Sequence, residues 1–189
     1  MLRTIPRWRS ASRFYSTTAV TTDDLFHRLH LKVGTITNVQ PHPEADHLYI
    51  EKLDVGEPEE RTIVSGLAKF MPMTDLQGKK VVVVANMKPS RFRGVLSQGM
   101  LMAAANAEGT KVDLLTVSSE SANGDRVVLS SVEPHGEPDG TLKPKQKVFE
   151  QIAPFLRTDA QGVATYKGVP LATAQGIVQS TKIPNGQIS

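Results

Sequence analysis

The chain has 189 residues, a formal net charge of +3, and hydrophobic and charged fractions of 39% and 22%. These values are typical of a globular protein with one substantial domain and room for additions. No apolar run approaches the roughly 18 residues of a membrane-spanning helix. Cysteine is absent, which excludes disulfides, thiol catalysis, zinc–thiolate sites and iron–sulfur clusters.

The first twenty residues differ in composition from the rest of the chain. They contain no acidic residue, several Ser and Thr, and four arginines, Arg3, Arg7, Arg9 and Arg13. This composition is typical of a mitochondrial transit peptide, and residues 13–16 resemble the matrix-processing pattern, with cleavage before Ser16. We therefore predict a transit peptide over residues 1–15, a linker over 16–24 and a location in the mitochondrial matrix. The alternative is a disordered basic arm that holds nucleic acid directly.

Charge is unevenly distributed along the remainder of the chain. Without the four leader arginines, 18 basic side chains stand against 19 acidic ones, which gives a net charge of −1. Residues 69–93 hold six cations and one acid, whereas residues 106–140 hold seven acids and two cations. A nearly neutral protein with one concentrated basic region is expected to bind polyanions at one place.

Alternating apolar and polar residues predict short β-strands from residue 31 onward. The first covers 31–39, where Gly34 suggests a bulge, and others follow at 48–55 and 61–65. Residues 67–76 are broken by Pro72 and predict a connecting turn or a helical cap. The β-branched run at 81–85 predicts a buried strand.

Further strands are predicted at 100–105, 112–117 and 126–129, with a turn at 123–125 between the last two. Six or seven short strands and a single broken helical segment predict an all-β domain over residues 25–130, a small closed barrel. After Pro134 the composition changes to Pro, Gly and Lys. Residues 131–189 hold a helix candidate at 148–152 and strand candidates at 162–166, 170–174 and 176–179. This tail is too small for its own core, so we expect it to dock onto the barrel.

A basic loop follows the predicted buried strand. Three cations, Lys88, Arg91 and Arg93, occur within six residues, and Ser97 and Gln98 come shortly after them. A rigid strand that presents such a loop to solvent is a common way to build a phosphate-contacting surface. The alternative is a solvated charged loop between strands.

Several sequence motifs occur in a specific order along the chain. They lie at residues 33–34, 42–49, 54–56, 61–67, 86–89, 93–100 and 124–126. In this order they resemble the tRNA-binding domain of endothelial-monocyte-activating polypeptide II and of the yeast cofactor of methionyl- and glutamyl-tRNA synthetases. Residues 142–145 and 164–170 resemble the C-terminal extension of the longer members of that family.

The resemblance implies a five-stranded OB-fold barrel with short helical segments and a small docked extension. It also implies binding to the corner of folded tRNA by shape, with little sequence preference. In the longer family members the extension imitates a partner subunit, which here implies a monomer with a pseudo-dimeric interface. The implied partners are tRNA and an aminoacyl-tRNA synthetase. A membrane is not predicted as a partner, because no apolar run is long enough to span one.

The resemblance and the residue chemistry together predict a set of RNA contacts. Lys88, Arg91 and Arg93 match the family's basic loop and fit phosphates. Ser97, Gln98 and Met100 match positions at the family's RNA-facing edge, although Met100 could equally belong to the core. Asn86 is included, although it could instead cap the end of the strand. Auxiliary contacts are predicted at Lys143 and Lys145, near Lys147, with a solvated tail as the alternative.

The sequence predicts no enzyme, cofactor or metal site. A phosphate-binding glycine loop, a nucleophile elbow and a catalytic carboxylate pair are all missing from the sequence. His42, Glu44, Asp46 and His47 lack the i, i+4 histidine spacing of zinc hydrolases, and they predict a turn in which Asp46 bonds to the backbone.

The predicted function is a tRNA-binding accessory factor for a mitochondrial aminoacyl-tRNA synthetase or for tRNA handling. The alternative is a protein-interaction or cytokine-like scaffold that uses the same barrel without tRNA.

Overall fold

The computed structural model describes residues 20–21, 23–132 and 136–189. The predicted transit peptide and most of the predicted linker lie outside the described residues. A 3₁₀ turn at Leu25–Arg28 precedes the strands β1 (Leu31–His42), β2 (Ala45–Asp54), β3 (Arg61–Ser65), β4 (Lys80–Val84), β5 (Ser90–Phe92), β6 (Val95–Ser97), β7 (Met100–Leu101), β8 (Ala103–Ala105), β9 (Val112–Leu114) and β10 (Val128–Leu129). The short helix α1 (Met73–Leu76) lies between β3 and β4.

The extension follows with a 3₁₀ turn at Pro144–Gln146, helix α2 (Val148–Ile152) and a second 3₁₀ turn at Ala153–Phe155. Its strands are β11 (Leu156–Thr158), β12 (Ala164–Tyr166), β13 (Val169–Thr173), β14 (Gly176–Ile177) and β15 (Gln187–Ile188). In the described part of the chain, no helix is long and apolar enough to cross a membrane.

The first sheet is antiparallel, has the strand order β3-β2-β1-β4-β7, and is curled into a half-barrel. Its interior is filled by side chains from every strand of the sheet and by Leu76 of α1, which is fully buried at one end. A separate two-stranded hairpin is formed by β5 and β6. The prediction of a mainly β fold with a five-stranded barrel is therefore confirmed.

Strand β1 departs from regular pairing with β2, but not where the sequence suggested. The predicted bulge at Gly34 is wrong, because the shifts in register lie between Ile36 and Asn38 and between Pro41 and His42. Gly34 is needed for a different reason. A Cβ there would lie 2.8 Å from Val55 Cγ1 and 3.2 Å from the Asp54 carbonyl oxygen, so a side chain would separate β1 from the end of β2.

The central strand β4 is buried on both faces. Val81 and Val83 point into the barrel interior, while Val82 and Val84 pack in a second cluster with residues of the extension. This explains the continuous apolar run in the sequence, which is typical of strands covered on both sides. The buried strand predicted at 81–85 is confirmed.

The extension forms a second sheet together with β8, β9 and β10, which precede it in the chain. The order is β10-β13-β12-β11-β15-β8-β9, with β14 paired beside β13. Strand β15 pairs with β8 at Gln187↔Ala105, and the fully buried Ile152, Leu156, Leu171 and Ile188 share a core with Leu31 of the barrel. The predicted docking of the tail onto the barrel is confirmed.

Several predicted bounds differ from the structure. The strand predicted at 100–105 is divided at Met102 into β7 and β8, which belong to different sheets. The strands predicted at 112–117 and 126–129 shorten to 112–114 and 128–129. Helix α2 has the predicted bounds 148–152, whereas β11 and β15 were not predicted.

The segment after the predicted linker is fastened to the extension through Asp24. Its carboxylate accepts hydrogen bonds from Phe26 N at 3.0 Å and Tyr166 Oη at 2.7 Å, and it pairs with Lys167 Nζ at 2.5 Å. Burial alone would raise the pKa of Asp24, but these hydrogen bonds and the Lys167 charge lower it overall. The segment that precedes the barrel is therefore held to the extension by a charged contact.

Glu51 is a carboxylate on the inward face of β2. Its side chain is fully buried, Oε1 accepts a hydrogen bond from Ser65 Oγ, and Oε2 has no hydrogen-bond partner among the described residues. Burial raises the pKa of Glu51 to about 8, because the charged form loses its hydration. The Glu51 carboxyl is therefore protonated and neutral in the folded barrel below about pH 8.

This pKa predicts how stability depends on pH. The folded-state pKa of Glu51 is raised from 4.5 to about 8, so the folded protein keeps this proton in a pH range where the unfolded chain has lost it. The contribution of Glu51 to the free energy of unfolding is therefore fully present below pH 4.5 and is lost as the pH rises towards 8. Relative to Glu51→Gln, the wild-type free energy of unfolding should fall by on the order of 1 kcal/mol per pH unit across that range. Urea denaturation at several pH values measures it. Glu44 is exposed, so Glu44→Gln is the control, and its free energy of unfolding should depend on pH as that of the wild type does. If the Glu51→Gln variant showed this same pH dependence, the raised pKa of Glu51 would be contradicted.

Candidate nucleic-acid interface

The basic loop predicted after the buried strand is a β-hairpin. Its strands pair as Ser90↔Ser97 and Phe92↔Val95, which leaves Arg93 and Gly94 as a two-residue turn. Their φ angles are 44° and 88°, as in a type I′ turn, whose twist matches that of the strands. The signal for this turn in the sequence is the pair Arg93-Gly94 between two short strands. It did not lead to a predicted hairpin, because the segment was interpreted from its charges.

Ser97 and Gln98 close the barrel against β3. Ser97 Oγ accepts a hydrogen bond from Val64 N at 3.0 Å, and Gln98 Oε1 accepts one from Thr62 N at 2.9 Å. Gln98 N in turn donates to Thr62 O at 2.8 Å. Two side chains thus replace part of the backbone ladder between β3 and the hairpin.

This closure corrects the predicted RNA contact of Ser97, whereas that of Gln98 stays a prediction. Ser97 is only 3% exposed, and its hydroxyl also donates to Gly99 O at 3.1 Å, so it does not present a donor to solvent. Gln98 is partly buried, and its side-chain acceptor is used by β3. Both residues position the hairpin.

Asn86 and Met100 are also structural in this conformation. Asn86 is 4% exposed. Its Oδ1 accepts from His30 N at 3.0 Å, and its Nδ2 donates to the carbonyl oxygens of Arg28 and Asp139, both at 2.8 Å. Met100 is partly buried against the core that the barrel shares with the extension. The expected RNA contact of Asn86 is thus corrected to a strand-end cap, and Met100 lies with the core.

Arg61 anchors the closure from the other side of β3. Its Nη1 donates to Gln98 O at 2.9 Å and to Ala85 O. Its Nε and Nη2 each donate to a Glu57 oxygen at 2.7 Å, and Lys32 Nζ reaches Glu57 at 2.9 Å. The Arg61 hydrogen bond is the main reason that the pKa of Glu57 falls to about 2, against the effect of burial, with Lys32 adding to the decrease. The sequence interpretation missed this role, since Arg61 appeared only as a matching family residue.

His42 connects the β1–β2 turn to the hairpin. The ring is buried; Nδ1 accepts a hydrogen bond from Glu44 N at 3.1 Å, so Nε2 is the donor to Phe92 O, also at 3.1 Å. The turn predicted here is correct, but the backbone contacts come from His42 and not from Asp46. No group of potential ligands that could hold a metal ion occurs among the described residues.

The three predicted phosphate contacts are exposed on or beside the hairpin. Lys88, Arg91 and Arg93 are all exposed, and Arg91 Nη1 donates only to Gly94 O, at 2.9 Å. Four ion pairs occur in the described part of the chain, and they use Arg28, Lys32, Arg61 and Lys167. The hairpin cations therefore have no carboxylate partner among the described residues.

The extension brings its own lysines to the same place. A cavity of about 170 Å³ between the two parts is lined by Lys88 and Ser90 on one side and by Lys143 and Lys147 on the other. The predicted auxiliary contacts Lys143 and Lys145 are exposed. Lys88 thus lies close to Lys143 and Lys147, which are some 50 residues further along the sequence. We use the term basic face for these three lysines and the exposed cations that neighbour them in the sequence: Lys88, Arg91, Arg93, Lys143, Lys145 and Lys147.

The other cations of the basic stretch at 69–93 lie elsewhere. Lys80 Nζ donates to Ser119 O at 2.7 Å and to Ser121 O. Lys69 lines a separate cavity with Lys111 and Lys182. The charge concentration in the sequence is therefore divided by the fold, and only its second half contributes to the basic face.

The role of Ser97 in closure can be tested by removing its hydroxyl. Ser97→Ala leaves the Val64 N–H without its acceptor in a buried position, so it should lower the free energy of unfolding by about 1–3 kcal/mol. Chemical denaturation measures this change. Ser90→Ala is the matched control, because Ser90 is the cross-strand neighbour but is exposed, and its effect should stay within about 0.5 kcal/mol. Equal effects of the two substitutions would contradict the closure role.

The family model described as "Putative tRNA binding domain" matches residues 31–126. This match includes the barrel, the hairpin and the closure residues. It ends shortly before β10, so the extension lies outside it.

Comparison with individual proteins extends the likeness to the tail. The chain is 44% identical over 162 residues to mouse aminoacyl tRNA synthase complex-interacting multifunctional protein 1, covering 85% of this chain and 51% of the relative. It is 42% identical over 161 residues to cytoplasmic methionine–tRNA ligase of Arabidopsis thaliana, covering 85% of this chain and 20% of the relative. The chain thus spans about half of the length of the first relative and one fifth of the second.

A solved structure is similar over nearly the whole described chain. The C-terminal domain of Plasmodium vivax p43 has a TM-score of 0.82 and 33% sequence identity. The alignment covers 87% of this chain and 98% of that domain. The barrel and its extension therefore occur together in both proteins.

Proposed function

We propose a function for this chain on the basis of its family, because the match to the family model shows that it belongs to the tRNA-binding domain family. The proposed function is binding of folded tRNA through the basic face. With this activity the protein serves as an accessory factor in tRNA aminoacylation or tRNA handling. The observation that carries this proposal is the meeting of the hairpin and the extension around one cavity, with Lys88 on one side and Lys143 and Lys147 on the other. Cations without carboxylate partners, placed on two rigid elements, suit phosphates that are fixed by a folded RNA.

The chemistry of the basic face favours recognition by shape. Asn86 and Ser97, which could have contacted base edges, use their side-chain polar atoms inside the protein. The exposed groups are mainly cations, which contact phosphates of any sequence. Folded tRNA offers phosphates of different strands close together, so the spacing of the cations selects its shape.

A binding role is also favoured over a catalytic one. The chain covers 20% of the methionine–tRNA ligase that it resembles, and 51% of a relative named as a synthase complex-interacting protein. We propose that the chain acts on tRNA with a synthetase as partner. The same named relatives favour tRNA binding over the alternative of a scaffold without RNA.

The basic face can be tested by a triple substitution. Lys88→Ala/Arg91→Ala/Arg93→Ala should weaken binding to unrelated tRNAs by on the order of a hundredfold at moderate salt, at about 1 kcal/mol per lost contact. The slope of log affinity against log salt should also decrease by roughly one unit per contact. Filter-binding titrations at several salt concentrations measure both quantities.

The control has the same loss of charge at another place. Lys69→Ala/Lys111→Ala/Lys182→Ala removes three lysines from the separate cavity and should change affinity far less. Equal weakening by the two triple variants would show that net charge alone governs binding, and this would contradict a located interface. If the hairpin variant unfolded at the wild-type temperature and bound tRNA with unchanged affinity, the basic face would be rejected as the tRNA interface.

We further propose that the protein is a monomer in which the extension covers the outer face of the barrel. The support is the shared core, in which Val82, Val84 and Leu31 contact apolar side chains of the extension. A face covered in this way is not available for pairing with a second copy.

The monomer can be tested by light scattering. The intact chain should have a mass near 20.6 kDa at micromolar concentration. Deletion of residues 136–189 should uncover the outer face of β1 and β4 and cause dimers or aggregates. A stable dimer of the intact chain would contradict the proposal, as would a deletion variant that stays monomeric and folded.

We also propose that the protein acts in the mitochondrial matrix. The support is the acid-free composition of the first twenty residues, with its four arginines. Protein purified from mitochondria should begin at or shortly after Ser16, as shown by mass spectrometry of its N-terminal peptide. Organellar protein that retained residues 1–15, or a tagged chain found in the cytosol, would contradict this location.

A further inference from the structure

Phe92 is an exposed aromatic residue near the tip of the basic hairpin. Its side chain is 44% exposed, and it immediately precedes the Arg93-Gly94 turn. Among the aromatic contacts of the described residues, none includes Phe92. Phe155, which is 50% exposed, differs in this respect, because it packs edge-on against Tyr166 and lies under Lys167 Nζ.

The backbone of Phe92 is held firmly although its ring is exposed. His42 Nε2 donates to Phe92 O at 3.1 Å, and Phe92 pairs with Val95 across the turn. At the base of the hairpin, Ser97 is bonded to β3. A ring on such a support loses little conformational freedom on binding, which favours its use as a contact.

The charges beside the ring indicate the kind of ligand. Arg91 and Arg93 flank Phe92 in the sequence, and neither forms a salt bridge with a described residue. An exposed apolar ring on a hairpin with two guanidinium groups that lack carboxylate partners among the described residues suits a ligand that carries a flat apolar face next to anionic groups. An unpaired nucleotide in RNA has this form, with a base flanked by phosphates.

We propose that Phe92 is a stacking site for an unpaired base of the bound RNA, with Arg91 and Arg93 contacting the adjacent phosphates. This inference rests on the proposed function and names the feature of the RNA that the hairpin reads. A base paired within a helix does not offer a free face, so the site discriminates folded tRNA, with its loops, from a plain duplex. Stacking is tolerant of base identity, which agrees with recognition by shape.

The test compares Phe92→Leu and Phe92→Trp in the full chain, with two RNAs. One is a tRNA transcript and the other is a fully paired duplex of equal nucleotide number. Phe92→Leu keeps an apolar side chain but loses the ring, so affinity for tRNA should fall by about tenfold. Its affinity for the duplex and its salt slope should not change, and Phe92→Trp should bind tRNA at least as well as the wild type.

Phe70→Leu is the matched control. Phe70 is 40% exposed and lines the cavity that contains Lys69, Lys111 and Lys182, so it is also an exposed ring near cations. This substitution should leave tRNA affinity unchanged. An equal loss in Phe70→Leu and Phe92→Leu would overturn the proposal, and so would an equal loss for tRNA and duplex.

Fluorescence gives a second readout that does not depend on affinity. Trp8 is the single tryptophan of the chain, so Trp8→Phe/Phe92→Trp places the only indole on the hairpin. Its emission should be quenched by tRNA and not by the duplex, since stacking on a base quenches an indole. Unchanged emission at saturating tRNA would overturn the stacking site.

These outcomes separate this inference from the proposed function. A wild-type chain that does not bind tRNA would reject both. If the wild type binds and the triple substitution of the basic face weakens it, while Phe92→Leu has wild-type affinity, only the stacking site is rejected. Phe92 would then be assigned to contact with a protein.

Discussion

The closure of the barrel between β3 and the segment 97–99 is the contact on which the rest of the site depends. Side chains make this closure where a longer strand pair would otherwise do so: Ser97 binds Val64 N, Gln98 binds Thr62 N, and Arg61 reaches back to the carbonyls of Ala85 and Gln98. Because both ends of the hairpin segment are fixed at this point and His42 of β1 is bonded to Phe92 O, residues 88–96 can project from the barrel in one direction. The cations of the hairpin thereby obtain a defined direction without being buried.

The second constraint is the burial of β4 on both faces. An open outer face of β1 and β4 would leave Leu31, Val82 and Val84 in water, and the extension covers them. In doing so it places residues 143–147 beside the hairpin. The same apolar packing that stabilises the fold therefore assembles the basic face, so the loss of the extension should affect stability and RNA binding together. The extension and the barrel also occur together in the similar Plasmodium domain.

Much of the fold could be predicted from local patterns. Which polar residues of the site are exposed, and which ones support the structure from a buried position, could not. The run at 81–85 and the helix at 148–152 are recognisable because a single local signal determines each of them. Ser97 was predicted to contact RNA because it matches a family position, and Asn86 was included with a strand-end cap as the alternative. Each is buried and bonded to backbone groups far away in the sequence. Met102 separates two sheets, which no local pattern records. The exposed cations were predicted correctly as exposed, because a charge without a partner stays in water.

The central claim is that hairpin and extension form one surface that contacts tRNA. Hydrogen–deuterium exchange of the full chain with and without a tRNA transcript tests it most directly, since it locates the contact without any substitution. The account predicts that tRNA slows amide exchange in two separate segments at once, residues 88–97 and residues 141–149. Exchange around residues 69–71, 110–112 and 181–183, which surround the other lysine cavity, should not change. Protection of that second region, or of the hairpin without the extension, would contradict the account.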